Sequence, residues 1–393
     1  MPIVLYILAL AVFAQGTSEF VLAGLLPGIA GDLDISLAQA GLLTSAFAVG
    51  MALGAPVMAA VGRKLSPRWT MSGFLALFIL AHVIGATAES FGLLFATRVV
   101  AALANAGFLA VALSTVTHLV PAHSRARALA VILGGTTLAL IAGVPAGALV
   151  GNALGWRATL WAIALVSVPA LIAVLIATPT RAAQTDHAVA RRSLTGELRT
   201  LRLRPVQLNI VMGVLVNAAT FCSFTYLAVI AGTRAGVSET LVPLLLGVFG
   251  LGAFCGVTAA GRLADRSWRE VILVTGPLLV LGWALLTVMV DSQPVVWVLA
   301  LLLGALSFAL GSTLIGRIMA TAGEAPSMSG SFATVAMNLG AVIGPIAGGV
   351  AIELVGVRGP LAVSALLVLG TVGLGWATRR ARADRPRTTV PVA

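Results

Sequence analysis

Long apolar stretches recur along the whole chain and are separated by short polar segments. A helix that crosses the hydrocarbon core of a bilayer needs about 20 apolar residues. Gly and Pro inside such a stretch do not count against it, because membrane helices tolerate both and use small residues for close packing. Twelve stretches meet the requirement: 3–28, 38–61, 70–88, 91–117, 126–151, 158–178, 206–232, 239–261, 271–290, 294–320, 328–353 and 358–377. The pattern therefore predicts an all-α membrane protein with twelve transmembrane helices.

The 24 Lys and Arg residues are distributed unevenly among the predicted loops. Twenty of them fall in loops of one parity or in the carboxyl-terminal tail, whereas Arg157, Arg234 and Arg358 fall in the other loops. Arg98 is the one that lies well inside a predicted helix. Because positive residues accumulate in cytoplasmic loops, we expect both termini in the cytoplasm and the protein in the inner membrane of a bacterial cell.

One long polar segment near the middle of the chain divides the twelve helices into two groups of six. A repeat links the two groups, since Gly155-Trp156-Arg157 returns as Gly356-Val357-Arg358 at an offset of 201 residues. Repeats in the same orientation are the basis of many transporter folds. We therefore predict four units, namely a six-helix bundle over 1–178, a cytoplasmic linker over 179–205, a second six-helix bundle over 206–378 and a cytoplasmic tail over 379–393.

Composition excludes several classes of protein. With 59% hydrophobic and 9% charged residues, the chain could not assemble a water-soluble surface. The net charge of +11 lies in the loops between helices, so it does not indicate nucleic acid binding. Cys222 and Cys255 lie in apolar stretches without metal-site or disulfide spacing, and no nucleotide-binding, zinc or nucleophile motif is present. We therefore expect neither an enzyme nor a cofactor or metal, and transport driven by an ion gradient.

A charged segment follows the eighth apolar stretch. It reads Gly261-Arg262-Leu263-Ala264-Asp265-Arg266, with Arg269 three residues further on. Acids and bases at a helix end can hold neighbouring helix ends by charge pairing and through the helix dipole. The segment resembles the Gly-x-Leu-Ala-Asp-Arg signature of the major facilitator superfamily, which implies that Gly261, Asp265, Arg266 and Arg269 control switching between inward-facing and outward-facing states. A simple positive anchor at the membrane surface is the alternative.

Glycines are concentrated in the fifth apolar stretch. Gly135, Gly143, Gly147 and Gly151 fall on or near one helix face, where small residues permit close contact, and Pro145 interrupts the backbone hydrogen bonds. The run Gly-Val-Pro-Ala-Gly resembles the antiporter signature of drug-exporting members of the superfamily. Ordinary packing of membrane helices is the alternative explanation.

Two ionisable residues lie inside the predicted helices of the first half, Glu19 and Arg98. Such residues are costly in a bilayer unless they face a cavity or a partner. At 1.5 Å per residue, they lie roughly 6 and 9 Å to the outer side of the midpoints of their helices. We therefore hypothesise that both face one cavity and couple transport to protons, and Arg98 also resembles the fourth-helix Arg motif of the superfamily. A permanent structural ion pair is the alternative.

Several uncharged polar residues in the predicted helices are candidates for substrate binding. Asn105 shares a helix face with Arg98, because it follows seven residues later. Each candidate could instead bond to a neighbouring helix. The candidates are Thr17, Ser18, Asn105, Asn217, Tyr226 and Asn338.

The opening of the chain carries a more specific resemblance. The segments 16–27 (GTSEFVLAGLLP), 40–50 (AGLLTSAFAVG) and 54–56 (GAP) resemble the chloramphenicol exporters within the twelve-helix drug:proton antiporter family. The resemblance implies proton-coupled efflux of a small amphipathic drug by a monomer in the bilayer, with protons and the drug as its partners. Export of a metabolite such as a sugar or purine is one alternative, and a non-transporting receptor or scaffold on the same fold is another.

Overall fold

The computed structural model describes residues 3–61, 66–121, 124–178, 194–323 and 328–383, and it leaves out the side chains of 58–61, 116–119, 125–126, 194–196, 264–266 and 378–383. Twelve helices in these ranges are long and apolar enough to cross a membrane, which confirms the count predicted from the apolar stretches. The α-helices of the described ranges are α1 (Ile3–Phe20), α2 (Leu22–Asp32), α3 (Leu37–Val61), α4 (Pro67–Ala86), α5 (Phe91–Leu119), α6 (Arg125–Leu138), α7 (Val144–Leu154), α8 (Trp156–Ala177), α9 (Leu194–Arg199), α10 (Arg204–Phe224), α11 (Leu227–Arg234), α12 (Val242–Met289), α13 (Gln293–Thr321), α14 (Ser329–Val355) and α15 (Gly359–Ala383).

Three of the membrane spans are interrupted helices. The first span consists of α1 and α2, and the seventh consists of α10 and α11. In the fifth span, a π-helical turn over Ala139–Gly143 joins α6 to α7. Proline has no N–H that could bond to the carbonyl four residues earlier. Pro145 therefore interrupts the backbone hydrogen bonds of the helix at this turn. The expected interruption at Pro145 is therefore present, and it takes the form of a wide turn.

The connection between the eighth and ninth spans differs from the expectation of a short charged loop. Helix α12 contains both spans, and Ser267 is the residue with non-helical backbone angles between them (φ −138°, ψ 37°). The charged segment that begins at Gly261 is therefore helical up to this kink. Its charges lie on the end of a helix rather than on a loop.

The linker and the tail both contain helix in their described parts. Helix α9 and a short 3₁₀ turn over Thr200–Arg202 precede α10. The buried Glu197 side chain accepts a hydrogen bond from the Met328 backbone nitrogen at 3.0 Å, which attaches α9 to the start of α14. At the other end, α15 continues to Ala383, beyond the expected end of the second bundle at 378.

The two groups of helices have separate cores that meet along one seam. One hydrophobic cluster is made of residues from α1 to α8, and a second is made mainly of residues from α10 to α15. Helix α3 packs against α14, while α12 packs against the fifth span and α11 packs against α2. We call the end of the bundle opposite the two termini the outer end. The contacts described below lie between the middle of the bundle and this end.

The sequence repeat has a matching backbone geometry. Gly155 and Gly356 both have a positive φ, at 86° and 81°, a conformation that glycine adopts without a side-chain clash. Each glycine ends one span and lets the next begin at once, which explains why the tripeptide recurs at the outer end of both halves.

The three arginines that violate the charge bias are all in ion pairs at the outer end. Arg157 pairs with Asp32, while Arg234 and Arg358 both pair with Asp291. Trp156 also donates to Asp32 at 3.0 Å. The hydrogen bond from Arg157, together with that from Trp156, holds the pKa of Asp32 below its usual value. These arginines therefore have a local structural reason to lie on the outer side.

Candidate functional site

A buried polar cluster joins three helices of the first half. Arg98 of α5 is 2% exposed, Ser18 of α1 is fully buried, and His82 of α4 is 2% exposed. Arg98 donates through Nη1 to the Ser18 hydroxyl and through Nη2 to the Ser18 carbonyl, both at 2.7 Å. The His82 Nε2 lies 2.7 Å from the same hydroxyl. One serine thus connects a cation on α5 with an imidazole on α4.

The helix end at Phe20 explains why Arg98 can bind a backbone carbonyl. The last four carbonyls of an α-helix have no partner within the helix, and Ser18 lies in the last turn of α1. The guanidinium supplies a donor to one of these carbonyls. Its carbon also lies 4.5 Å from the centre of the Phe47 ring, so α3 covers the cation from the remaining side.

Glu19 lies beside this cluster but is not bound into it. Its side chain is partly exposed, and the ion pairs within the described parts of the chain do not include a contact between Glu19 and Arg98. Glu19 shares a helix face with Ala23 and Leu26, both of which pack in the cluster shared with the second half. The carboxylate therefore lies on the side of the first span that faces the seam between the halves, and it is beyond ion-pair distance of Arg98.

Two residues of this region were not recognised in the sequence. His82 is an ionisable residue inside the third apolar stretch, and that position was a usable signal. Gln15 lies one turn before Glu19 and is 1% exposed, and neither its amide nitrogen nor its amide oxygen has a hydrogen-bond partner among the described residues. Nothing in the local sequence distinguishes Gln15 from a glutamine whose side-chain amide makes hydrogen bonds to a helix.

The predicted substrate-binding residues have different environments. Thr17 donates to the Phe13 carbonyl in its own helix, and Asn338 donates to the Thr334 carbonyl in the same way. The amide of Asn105 is 5% exposed and makes no hydrogen bond with the described residues. Of these three, Asn105 is the one without a hydrogen bond to the described residues.

Asn217 and Tyr226 make longer-range contacts. Asn217 donates to the Met337 carbonyl at 2.6 Å, which links α10 to α14. The fully buried Tyr226 donates to the Pro345 carbonyl at 2.8 Å. Its ring occupies a slot against Gly41 of the first half and Gly348 of the second, where a Cβ atom would overlap with it. Tyr226 is thus part of the contact between the halves.

A row of phenylalanine rings connects the halves near the site. Phe20 stacks on Phe221 with ring centres 6.0 Å apart and an angle of 28° between the planes. Phe224, Phe249 and Phe308 extend the row into the second half, with centre distances of 6.4, 4.8 and 6.4 Å along it. Offset and edge-on arrangements at these distances are favourable. Phe20 directly follows Glu19 in the sequence, so the row begins in the same turn of the first span.

The glycines of the fifth span face the first span in a constant register. A Cβ at Gly135, Gly143, Gly147 or Gly151 would lie less than 3.0 Å from an atom of the first span. The partners are Ala9, Thr17, Val21 and Leu25, each 126 positions earlier than its glycine. The two spans are therefore parallel and in close contact over their whole length, and small residues are needed at these positions.

The opposite face of the fifth span contacts the second half. A Cβ at Gly247 would lie 2.9 Å from Pro145 Cγ, and one at Gly250 would lie 2.7 Å from the carbonyl carbon of Leu140. Nearer the outer end, Asn152 donates to the Glu239 carbonyl at 2.9 Å. The fifth span is therefore held between the first span and α12, and the predicted antiporter run lies at this contact.

Further contacts show that the halves are closed at the outer end. The Ser45 hydroxyl of α3 donates to the Val342 carbonyl of α14 at 2.8 Å. Above these contacts, a cavity of about 920 Å³ is lined by residues of both halves, including Asp32, Trp156 and Glu239. Its lining also includes Gly24 and Val242. The cavity is thus a vestibule on the outer side of the closed seam.

The predicted gating segment is described in part. A Cβ at Gly261 would meet no atom within 4 Å, and the Arg269 guanidinium lies 5.2 Å from the ring centre of Trp268. Arg317 of α13 lies over the same ring at 3.8 Å, which connects α13 to the kink in α12. The side chains of Asp265 and Arg266 lie outside the described residues.

The described helices thus include twelve that could cross a membrane, in two groups whose cores meet along a seam closed at one end. A family model described as the Major Facilitator Superfamily matches residues 8–336. The chain belongs to the major facilitator superfamily, and the resemblance of its sequence motifs to that family is confirmed.

Known proteins resemble the chain over most of its length. It is 51% identical over 369 residues to a "Chloramphenicol resistance protein" of Streptomyces lividans, with 94% of each chain covered. It is 33% identical over 355 residues to the "Inner membrane transport protein YdhP" of Escherichia coli K12, with 88% of each covered.

Solved structures agree on the fold. A bacterial homologue of the human lysosomal transporter Spinster, in an inward-facing and unoccupied conformation, has a TM-score of 0.75 at 18% identity and covers 99% of this chain and 98% of its own. The nucleoside transporter NupG has a TM-score of 0.76 at 14% identity, with 96% and 98% covered. The chain is therefore a transporter of this fold and not an enzyme.

Proposed function

We propose that the protein exports chloramphenicol, or a drug of similar size and polarity, in exchange for protons. It does so by alternating access as a monomer in a bacterial inner membrane, with both termini in the cytoplasm and no bound cofactor. The name of the relative from Streptomyces lividans supports the substrate. The observation that carries the mechanism is the partly exposed Glu19, which faces the seam between the halves without an ion-pair partner in contact.

The geometry supports this mechanism in two ways. A neutral, amphipathic drug needs apolar surface with a few polar groups; the phenylalanine row offers apolar rings, and Asn105 offers a buried amide that makes no hydrogen bond with the described residues. An uncharged drug also leaves Glu19 free to carry a proton. One proton moving down a potential of 100 mV releases about 2.3 kcal/mol, enough for a roughly fiftyfold drug gradient.

Resistance profiling tests the proposal. We expect a susceptible bacterial host that expresses the chain to tolerate several times more chloramphenicol than the same host with an empty vector. Glu19→Gln should abolish the gain, because a neutral amide cannot release a proton. Glu353→Gln is the matched control, since Glu353 is an exposed acid near the outer end of α14, and it should keep the gain.

A protonophore should remove the drug efflux of wild-type cells without lowering the amount of protein in the membrane. No gain in chloramphenicol tolerance from a protein that is present in the membrane would contradict the drug assignment. Growth profiles with sugars and nucleobases would then identify a metabolite substrate.

A further inference from the structure

Arg98 is fixed at a distance from Glu19 by bonds to a neighbouring residue. A guanidinium beside a carboxylate forms a strong charge-assisted pair when its geometry allows one. Here both terminal nitrogens of Arg98 are used by Ser18, one by the hydroxyl and one by the carbonyl. Glu19, the next residue in the sequence, therefore has no guanidinium–carboxylate pair with Arg98. The placement of Arg98 therefore depends on how Ser18 is held.

The hydrogen positions in the cluster follow from the chemistry of its groups. The Phe78 carbonyl can only accept, so His82 Nδ1, at 2.8 Å from it, must carry a hydrogen and donate it. A second positive charge next to buried Arg98 is unfavourable, so His82 is neutral and its Nε2 is an acceptor. The Ser18 hydroxyl therefore donates to His82 Nε2 and presents its lone pairs to Arg98.

This chain of bonds has a fixed direction from Arg98 to α4. Arg98 donates to Ser18, Ser18 donates to His82, and His82 donates to the Phe78 carbonyl. The His82 ring also packs on the Phe78 ring with centres 4.2 Å apart, which limits its rotation. Leucine at position 82 would remove the acceptor, and the Ser18 hydroxyl could then turn away from its present orientation.

Other charged groups do not replace Arg98 at the level of Glu19. Among the described helices packed against α1, α3 and α7 carry no ionisable side chain. Helices α2, α6 and α8 carry theirs at or near their ends, as in Asp32, Arg127 and Arg157. Among these helices, Arg98 is therefore the charged side chain at the level of Glu19, and its placement depends through Ser18 on His82.

We infer that His82 is a positioning residue of the transport cycle. Acting through the Ser18 hydroxyl, it keeps Arg98 away from Glu19 and so leaves the carboxylate able to take up and release a proton. The inference rests on the proposed function, because it concerns the same carboxylate.

Drug-driven proton release by the purified protein tests the inference. Chloramphenicol is added to the protein in weak buffer over a range of starting pH, and released protons are counted with a pH-sensitive dye. Release stops at a pH where Glu19 has already lost its proton. In His82→Leu, Arg98 Nη2 keeps its bond to the Ser18 carbonyl, but Nη1 can leave the Ser18 hydroxyl and turn towards Glu19. An opposite charge within about 4–6 Å favours the charged carboxylate by one to three pH units. The pH of half-maximal release should therefore move at least about one unit to the acid side.

Two further variants separate positioning from other roles. His82→Gln can still offer Ser18 an acceptor, so its release curve should stay near that of the wild type. Ser18→Ala removes the hydroxyl without a change in α4, and it should reproduce the acid shift of His82→Leu. If His82→Leu does not fold, Ser18→Ala still decides the matter. Loss of all release in His82→Gln, as in Glu19→Gln, would mean that His82 itself carries the proton and would overturn the inference.

Carbodiimide labelling of Glu19 gives a readout that does not require transport, because the reagent attacks protonated carboxyl groups in apolar surroundings. The labelling midpoint of His82→Leu should also lie at lower pH than that of the wild type. Equal midpoints would overturn the inference. A wild-type protein that releases no proton on drug addition would instead contradict the proposed antiport, while labelling would still decide the role of His82.

Discussion

Replacing Gly250 by alanine tests whether the contact between the fifth span and α12 closes the outer side. A Cβ at this position would lie 2.7 Å from the carbonyl carbon of Leu140, where ordinary contact begins at 3.4 Å. The Leu140 carbonyl oxygen is nearer still, and because it is a backbone atom it cannot rotate away, so the two helices must separate by at least about 0.7 Å. Overpacking of this kind costs about 1–3 kcal/mol. Because Leu140 and Gly250 belong to different halves, the cost falls on the closed state.

Such a cost corresponds to a shift of about 5- to 150-fold in the equilibrium between the closed and open outer side. The assay is electron spin resonance of the distance between spin labels on the outer ends of the halves, at Leu154 and Leu241, with the two native cysteines replaced. The wild type should show mainly the short distance of the closed seam. Gly250→Ala should add a population at longer distance.

Gly252→Ala is the matched control on the same helix. Its Cβ would clash with the Leu301 backbone of α13, inside the second half. We expect this variant to unfold at a lower temperature without a change in the distance between the halves. If Gly250→Ala and Gly252→Ala lower stability equally and both keep the wild-type distances, Gly250 is an ordinary packing glycine and the reasoning is refuted.

Three further predictions concern other contacts of the outer side. The lowered pKa of Asp32 makes its charged form stabilising above about pH 4, and this contribution is lost as the pH falls through the lowered pKa. Asp32→Asn should therefore unfold about one degree earlier than the wild type at pH 7. The contribution of this exposed pair is at most about 1 kcal/mol, and the difference should shrink as the pH falls below about 4; equal unfolding temperatures at pH 7 would contradict it. Tyr226→Phe leaves the Pro345 carbonyl of the same half without its donor, so it should lower the free energy of unfolding by about 1 kcal/mol and leave the distances in the spin-label assay unchanged; a shift of those distances would contradict it. Phe221→Leu removes one ring of the stacked pair with Phe20, an interaction of about 0.5–1.5 kcal/mol, and should weaken chloramphenicol binding by calorimetry about two- to tenfold; unchanged affinity would exclude this pair from the drug site.

The global fold could be predicted from the sequence because it depends on patterns that are local or repeated. Span length follows from hydrophobic runs, and the offset of 201 residues reappears as the two glycine turns at Gly155 and Gly356. The interruption near Pro145 was also visible, since proline lacks a donor. The break at Val21 was not, because neither adjacent residue is Gly or Pro.

The candidate site could be predicted only in part, because its members meet across distant segments. Glu19 and Arg98 were recognisable as charges inside apolar stretches, but the sequence does not show that Arg98 binds Ser18 instead of Glu19. His82 carried the same signal as Arg98, yet its role depends on a contact with a serine 64 positions away. The phenylalanine row comes from four helices, and no spacing in the sequence brings these rings together.

Coupled transport in proteoliposomes tests the central claim that Glu19 exchanges protons for a drug. Vesicles containing the purified protein are loaded at acid pH, diluted into alkaline buffer with radiolabelled chloramphenicol, and the internal drug is measured over time. The account predicts that the wild type concentrates the drug inside as protons leave, that collapse of the pH gradient removes this accumulation, and that Glu19→Gln never concentrates the drug. Accumulation that is equal in Glu19→Gln and wild type, or that is independent of the pH gradient, would contradict it.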